Sequence, residues 1–346
     1  MIDYNKKYFC ILLHGDFMRK CFFLFVILTI LVSTTVVNAS NESSYIIYDV
    51  NTQAVIEGKN YEKTALIAST SKILTAIVAL ENRDLFDLVK IEYSDTQIEG
   101  SKLYIKEGES FTVLDLLYGL MLRSGNDCAN ALARSYVGGY DEFITLMNDK
   151  CKELGMINSI FENPSGLDCQ NENHSTAYDM AKLMAYAVKN DFFRQIASTH
   201  ETRIKSQEGT TYYLKNKDKS VLSDERFICG KTGYTKRSGR ILVNYARAYS
   251  RNVVIVTIND PNDWQNHKAF LNSLEKYIDY NILYKGRYRV PDNDMIIELL
   301  DDIKIPLIKN EKNNYYYVID VNNNMLEVYY NGLIIIRCKI NIVQDV

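Results

Sequence analysis

The stretch that most restricts the fold of this chain is Ile73-Leu74-Thr75-Ala76-Ile77-Val78-Ala79-Leu80, whose apolar residues leave no clear polar face when wound into a helix. A helix that is apolar all round has to be enclosed by other elements, so the segment predicts a buried core helix. Just ahead of it, in Ala68-Ser69-Thr70-Ser71-Lys72, a serine and a lysine stand three residues apart and share one face. A serine hydroxyl is a weak nucleophile until a base takes its proton, and lysine is such a base only if burial or a neighbouring cation keeps its amine neutral. The positive end of the helix would favour the alkoxide. The spacing alone is weak, because Ser273-Leu274-Glu275-Lys276 repeats it in a charged, amphipathic segment.

Length and composition remove several function classes. The chain has 346 residues, enough for one large domain and a small one, and its 47% hydrophobic and 24% charged residues describe a folded globular protein. A net charge of -3 with no long basic run argues against nucleic-acid binding. His14, His174, His200 and His267 lie far apart without paired spacing and without Cys-x-x-Cys beside them, so neither a metal site nor another cofactor is expected. Of the seven cysteines, Cys10 and Cys21 fall in the leader, and Cys128, Cys151, Cys169, Cys229 and Cys338 are irregularly spaced. They read as small buried apolar residues, not as a disulfide framework.

Met18-Arg19-Lys20, the apolar run from Cys21 to Val32, and Val37-Asn38-Ala39 describe a secretory signal cleaved after Ala39, with Met18 as the expected start. The competing reading is a retained N-terminal anchor. Alternation from Tyr45 to Lys59 around Asn51-Thr52 predicts a strand hairpin. Thr112 to Arg123, capped by Thr112 with Asp115, is a second core helix, and Asp127–Tyr136, Asp141–Leu154 and Ala177–Lys189 are further helices. Strands are expected at Tyr212–Leu214, Arg226–Cys229, Ile241–Tyr249 and Val253–Ile258, then a helix from Asp263 to Leu283. Asn331-Gly332 signals a hairpin in a C-terminal β-rich region. The expected organisation is a leader over 1–39, a catalytic domain over 40–283 and a small all-β module over 284–346. The fold class is α+β, one antiparallel sheet flanked by helices with a helical lobe.

Two further clusters change the weight of the first. Ser124-Gly125-Asn126 sits between two helices, and Lys231-Thr232-Gly233-Tyr234-Thr235 follows a predicted strand. Serine with lysine three residues on, then Ser-x-Asn, then Lys-Thr-Gly, in that order, resembles the penicillin-binding proteins and serine β-lactamases, a motif set already familiar as a catalytic signature. Asp115-Leu116-Leu117-Tyr118-Gly119-Leu120-Met121-Leu122, Phe161-Glu162-Asn163-Pro164 with Gly166-Leu167, and His174-Ser175-Thr176-Ala177 make it similar to the D-alanyl-D-alanine carboxypeptidases of the S11 peptidase type from about Tyr45 to Leu283.

The resemblance implies a penicillin-binding-protein fold and catalytic roles for Ser69, Lys72, Ser124, Asn126 and Lys231. Ser69 would attack the carbonyl between two D-alanines of a peptidoglycan stem peptide and Lys72 would accept its proton. Ser124 and Lys231 would pass a proton to the departing D-alanine. Asn126 would hold the substrate amide, and N–H groups of Ser69 and Tyr234 the oxyanion. Thr232, Gly233, Tyr234 and Thr235 form the substrate-binding set, with Thr232 and Thr235 on the terminal carboxylate, and β-lactams are the expected inhibitors. Lys215 or Lys217 is the further cation for that carboxylate. Cys229-Gly230 departs from the usual order, glycine then a bulkier apolar residue before the lysine, and the family's C-terminal amphipathic anchor is not matched. Any membrane association is therefore expected to be loose, and the protein exported to the cell-wall face of the membrane or beyond. The alternatives are a catalytically silent penicillin-binding sensor and a class A β-lactamase-like hydrolase using Glu162. The second is disfavoured by Asn163-Pro164 following that glutamate.

Overall fold

A computed structural model describes residues 42–168, 172–249, 251–276, 279–290, 295–307, 315–330 and 333–343. The leader expected over 1–39, Cys169 and the Asn331-Gly332 turn lie outside these residues. The described residues from Ser43 onward form one compact unit.

At its centre is a five-stranded antiparallel sheet. The hairpin β1 (Ser44–Asp49) and β2 (Ala54–Lys59) meets β5 (Phe227–Thr235), β6 (Gly239–Ala248) and β7 (Arg251–Ile258) in the order β2-β1-β7-β6-β5. Between these two groups the chain builds the helices α1 (Lys72–Asn82), α2 (Val113–Arg123), α3 (Asn126–Arg134), α4 (Gly139–Glu153), α5 (Ala177–Ala187) and α6 (Asp191–Ser198), followed by a hairpin of β3 (Glu201–Lys205) with β4 (Thr211–Lys215). A short helix α7 (Lys219–Ser223) precedes β5, and α8 (Asp263–Ser273) follows β7. The run Val253-Val254-Ile255-Val256 is buried throughout because both faces of the sheet are covered. Val254 and Val256 join the large core under the helices, while Val253 and Ile255 pack with Leu271 of α8.

α1 is enclosed as its composition demands, with every residue from Lys72 to Ala79 buried. The Thr112 cap of α2 is also found: Thr112 Oγ1 accepts the Asp115 N–H at 3.1 Å and Asp115 Oδ2 accepts the Thr112 N–H at 3.3 Å.

Two expectations are corrected. Lys231-Thr232-Gly233-Tyr234-Thr235 does not follow a short strand; it is the second half of β5, in register with Gly239 to Val243 of β6. The helix expected to reach Leu283 stops at Ser273, with one 3-10 turn to Lys276. Asp279–Leu283 is a strand, β8, paired with β11 (Ile303–Leu307). Non-local pairing overrides the local helical pattern there. A second five-stranded sheet follows, in the order β9 (Gly286–Arg289), β10 (Ile296–Leu299), β14 (Leu333–Val343), β13 (Met325–Tyr330), β12 (Tyr315–Asp320). It docks beside β2, where the Tyr61 hydroxyl donates to the Ile334 carbonyl at 2.5 Å and Arg337 pairs with Glu62 at 2.6 Å. That is the sheet edge opposite β5.

Candidate active site

Ser69 sits in a 3-10 turn, Ala68–Ser71, that leads into α1. Ala68 has φ of 44°, a left-handed conformation that costs an alanine about 1–2 kcal/mol. The turn is held by Thr70 N–H on the Ile67 carbonyl at 3.2 Å and by the Ser71 hydroxyl on the Ala68 carbonyl at 2.8 Å. Two glycines let neighbouring backbone close on it. A Cβ at Gly166, where φ is 76°, would fall 1.8 Å from the Ala68 carbonyl oxygen, and one at Gly233 would fall 3.2 Å from the Ile67 carbonyl oxygen. The strand bearing Lys231 therefore lies directly against the turn bearing Ser69.

The Lys72 amine is fully buried and meets three partners: Ser69 Oγ at 3.1 Å, Asn126 Oδ1 at 2.7 Å and the Ser165 carbonyl at 2.5 Å. Burial, then repulsion from Lys231 and Lys217, holds its pKa well below that of an ordinary lysine. A neutral amine has two N–H bonds and one lone pair. Asn126 and Ser165 offer acceptors for the two protons, so the lone pair is left facing the Ser69 hydroxyl. This is the arrangement a general base needs.

Ser124 caps α2 in a left-handed conformation (φ 59°, ψ 36°), and α3 begins at Asn126. The sharp turn brings both side chains to the same cleft. Lys231 Nζ donates to Ser124 Oγ at 3.0 Å and to the Thr232 carbonyl at 2.9 Å. Burial and repulsion from Lys217 lower its pKa to about 7, opposed by Asp218. Asn126 is fixed by donating from Nδ2 to the Glu99 carbonyl at 2.6 Å. Next to it, the Asp127 carboxylate accepts the N–H groups of Leu103 (3.1 Å) and Tyr104 (2.9 Å), tying down the opposite wall.

The cleft between these walls has a volume of about 450 Å³, and Ser69, Asn126, Arg123, Lys217, Tyr234 and Thr235 face it. Ser69, Lys72, Ser124, Asn126 and Lys231 are thus gathered in one place. Tyr234 is exposed at the mouth, and Thr235 Oγ1 is engaged with Ser238 at 2.9 Å. Of the two candidate cations, Lys217 lines the cleft and donates to Ser101 Oγ at 3.0 Å, while Lys215 does not line it. Glu162 is exposed and does not line the cleft.

Sequence reasoning missed Arg123, Ser101 and the Ser165 carbonyl. The last had a signal: Asn163 Oδ1 accepts from the Ser165 and Gly166 N–H groups at 3.1 and 2.7 Å, so the run Phe161 to Leu167 is the loop that aims that carbonyl at Lys72. Among the described residues there is no group of three or more His, Cys, Asp or Glu that could hold a metal, and no helix long and apolar enough to cross a membrane. Cys128, Cys151, Cys229 and Cys338 are free thiols.

The S11 peptidase profile, described as D-alanyl-D-alanine carboxypeptidase, matches residues 32–262. This chain belongs to that family. S11 members are hydrolases that act on D-Ala-D-Ala peptides of peptidoglycan through a serine acyl-enzyme, and their penicillin-binding homologues bind β-lactams. Among S11 relatives, the D-alanyl-D-alanine carboxypeptidase DacB2 of Mycobacterium tuberculosis is 35% identical over 213 residues, 61% of this chain and 72% of that protein. DacF of Bacillus subtilis is 29% identical over 227 residues, 63% of this chain and 57% of its own length. A D-alanyl-D-alanine endopeptidase of Escherichia coli is 33% identical over 220 residues, 62% of this chain and 70% of that protein. The fold is that of solved S11-like enzymes. A D-alanyl-D-alanine carboxypeptidase from Mycobacterium tuberculosis superposes with a TM-score of 0.63 at 33% identity, over 66% of this chain and 89% of that one. The Streptomyces K15 DD-transpeptidase does so with a TM-score of 0.62 at 27% identity, over 66% and 94%.

Proposed function

We propose that Ser69 is the nucleophile of this D-Ala-D-Ala carboxypeptidase and Lys72 its general base, in a protein exported to act at the cell wall. The observation that carries the reading is the Lys72 amine, kept neutral by burial and oriented by Asn126 and Ser165 toward Ser69. Ser69 adds to the carbonyl between the two D-alanines, and its proton passes to Lys72. The oxyanion lies between the N–H groups of Ser69 and Tyr234; comparable donors are worth about 3–4 kcal/mol each. Lys231, hydrogen-bonded to Ser124, supplies a proton through that hydroxyl to the leaving amine. Lys72 then loses that proton to solvent and Lys231 regains one, after which Lys72 takes a proton from the water that attacks the acyl-enzyme and passes it to the departing Ser69 oxygen.

Lys217, Arg123 and Lys102 line the cleft and make it electropositive, which suits a substrate that ends in a carboxylate. Thr235, which faces the cleft, completes that subsite, whereas Thr232, also expected there, does not line the cleft. The stem peptide lies along β5 as an added strand, an outer strand of its sheet. The leader over 1–39 directs export, and any hold on the membrane is loose. Cross-link hydrolysis, the activity in the name of the Escherichia coli relative, would use the same residues and is the second reading.

The test is intact-protein and peptide mass spectrometry after brief exposure to penicillin, paired with assay of D-alanine release from a diacetyl-lysyl-D-alanyl-D-alanine peptide. One adduct on the Ser69 peptide and release of D-alanine are expected, both lost in Ser69→Ala. Labelling without release would favour a silent sensor, and an adduct elsewhere would remove Ser69 from its role.

A further inference from the structure

Behind the strand that carries Lys231 lies a polar chain that the reaction above does not use. Asp218, the residue after Lys217, accepts the Ser220 N–H at 2.9 Å and Asn244 Nδ2 at 2.6 Å. Asn244 Oδ1 lies 2.8 Å from Nδ1 of His267, and His267 Nε2 lies 3.0 Å from the Thr257 hydroxyl. All four side chains are buried, and they converge from the segment before α7, from β6, from α8 and from β7. Gly230 makes the room: a Cβ there would stand 2.2 Å from Asp218 Oδ2 and 2.1 Å from Asn244 Nδ2. Side chains alternate along a strand, so Gly230 turns its bare face to Asp218 while Lys231 points the other way, into the cleft. The unusual Cys229-Gly230 order thus has a physical counterpart.

The direction of every proton in the chain follows from its end. A carboxylate only accepts, so Asn244 turns its NH2 to Asp218 and its oxygen to His267. His267 must then carry its proton on Nδ1. Burial pushes the imidazole pKa down to about 3, so the ring is neutral, Nε2 is bare, and Thr257 donates to it. Three successive donors therefore point toward one carboxylate; burial raises its pKa to about 6, against the pull of its hydrogen bonds and of Lys231, so it is ionised above that pH.

We infer that Asp218 is a positioning residue for the hydrolase: held in place by the chain from Thr257 through His267 and Asn244, it supports the charge on Lys231 from behind β5. The inference rests on the role proposed above for Lys231. The charged groups acting on the Lys231 amine are Lys217 and Asp218, from the segment before α7, and Lys72 from α1; the Ser124 hydroxyl and Thr232 carbonyl are its neutral contacts. Without Asp218, only repulsion remains. A neutral Lys231 has no proton to pass to the leaving D-alanine.

The test uses the full chain and Asp218→Asn. The amide keeps the Ser220 contact, but Asn244 must turn over and His267 must move its proton from Nδ1 to Nε2. NMR of protein labelled with 15N-histidine reads this directly. The Nδ1–H tautomer is expected in the unaltered protein and Nε2–H in the variant. In the rate of penicillin acylation against pH, the alkaline limb should move down by roughly one unit in Asp218→Asn, the low end of what one opposite charge supplies. Thr257→Val, which keeps the charge, should leave the limb in place. Nε2–H in the unaltered protein would overturn the directed chain even if the variant failed to fold. Normal uptake with an unmoved limb would overturn the support of Lys231. If the unaltered protein takes up no penicillin, the proposed function falls, and this inference falls with it.

Discussion

Asn126→Asp gives the most direct test of how Lys72 is kept basic. Asn126 Oδ1 stands 2.7 Å from the Lys72 amine, so the substitution places a carboxylate at hydrogen-bond distance from a group that burial and two lysines keep neutral. An opposite charge so near raises a lysine pKa by about 1–3 units, and each unit of pKa is about 1.4 kcal/mol of preference for the protonated form. The protonated share of Lys72 then rises, and a protonated Lys72 cannot take the proton of Ser69. The acid limb of the acylation profile should move up by roughly one to three pH units, with the rate below it falling by about tenfold per unit and returning once the amine is again free. The variant has a second cost. The introduced carboxylate cannot donate to the Glu99 carbonyl as Asn126 Nδ2 does at 2.6 Å, and an unpaired acceptor costs about 1–3 kcal/mol of stability. Thermal unfolding measures that cost separately. The assay is the second-order rate of penicillin adduct formation on Ser69, by intact mass, from pH 6 to 10. A loss of the same size at every pH would refute the reasoning, because it would mean that Asn126 serves the substrate and not the base.

Three further outcomes follow from the same geometry. Gly166→Ala should destabilise the fold by several kcal/mol and slow acylation, since its Cβ would meet the Ala68 carbonyl at 1.8 Å in a left-handed backbone; denaturant unfolding and penicillin uptake check both. Lys217→Gln should raise KM for the D-Ala-D-Ala peptide more than it lowers kcat, because the cation meets a carboxylate present before and after the chemical step; steady-state kinetics decide. His267 should make the protein labile to acid. Its folded pKa, about 3, is below the usual 6.5, so its contribution is present above pH 6.5 and is lost as pH falls toward 3. A pH series of unfolding midpoints for the unaltered protein and His267→Gln should therefore converge at low pH, and parallel curves would contradict it.

The apolar residues of α1 were enough to predict its burial, and the capping pair Thr112 and Asp115 was enough to place the start of α2. The order of the three motifs was enough to point to a family, since each motif is a local sequence and local sequence is what a reader sees. The strand Asp279–Leu283 was not legible, because its partner Ile303–Leu307 is remote along the chain and its own pattern suits a helix.

What the sequence determined alone is the set of candidate reacting groups: a hydroxyl and an amine on one helical turn, a second hydroxyl with an amide, and a second amine on a strand. It could not determine their state. The Lys72 amine is placed to act as a base only because the 161–167 loop brings the Ser165 carbonyl to it and because Lys231, from the far side of the cleft, repels its proton. Likewise Asp218, Asn244 and His267 are ordinary as letters and become one chain only where Gly230 opens the space between a strand and a helix. Desolvation and charge repulsion depend on distances between segments far apart in the chain, and those distances exist only in the folded protein.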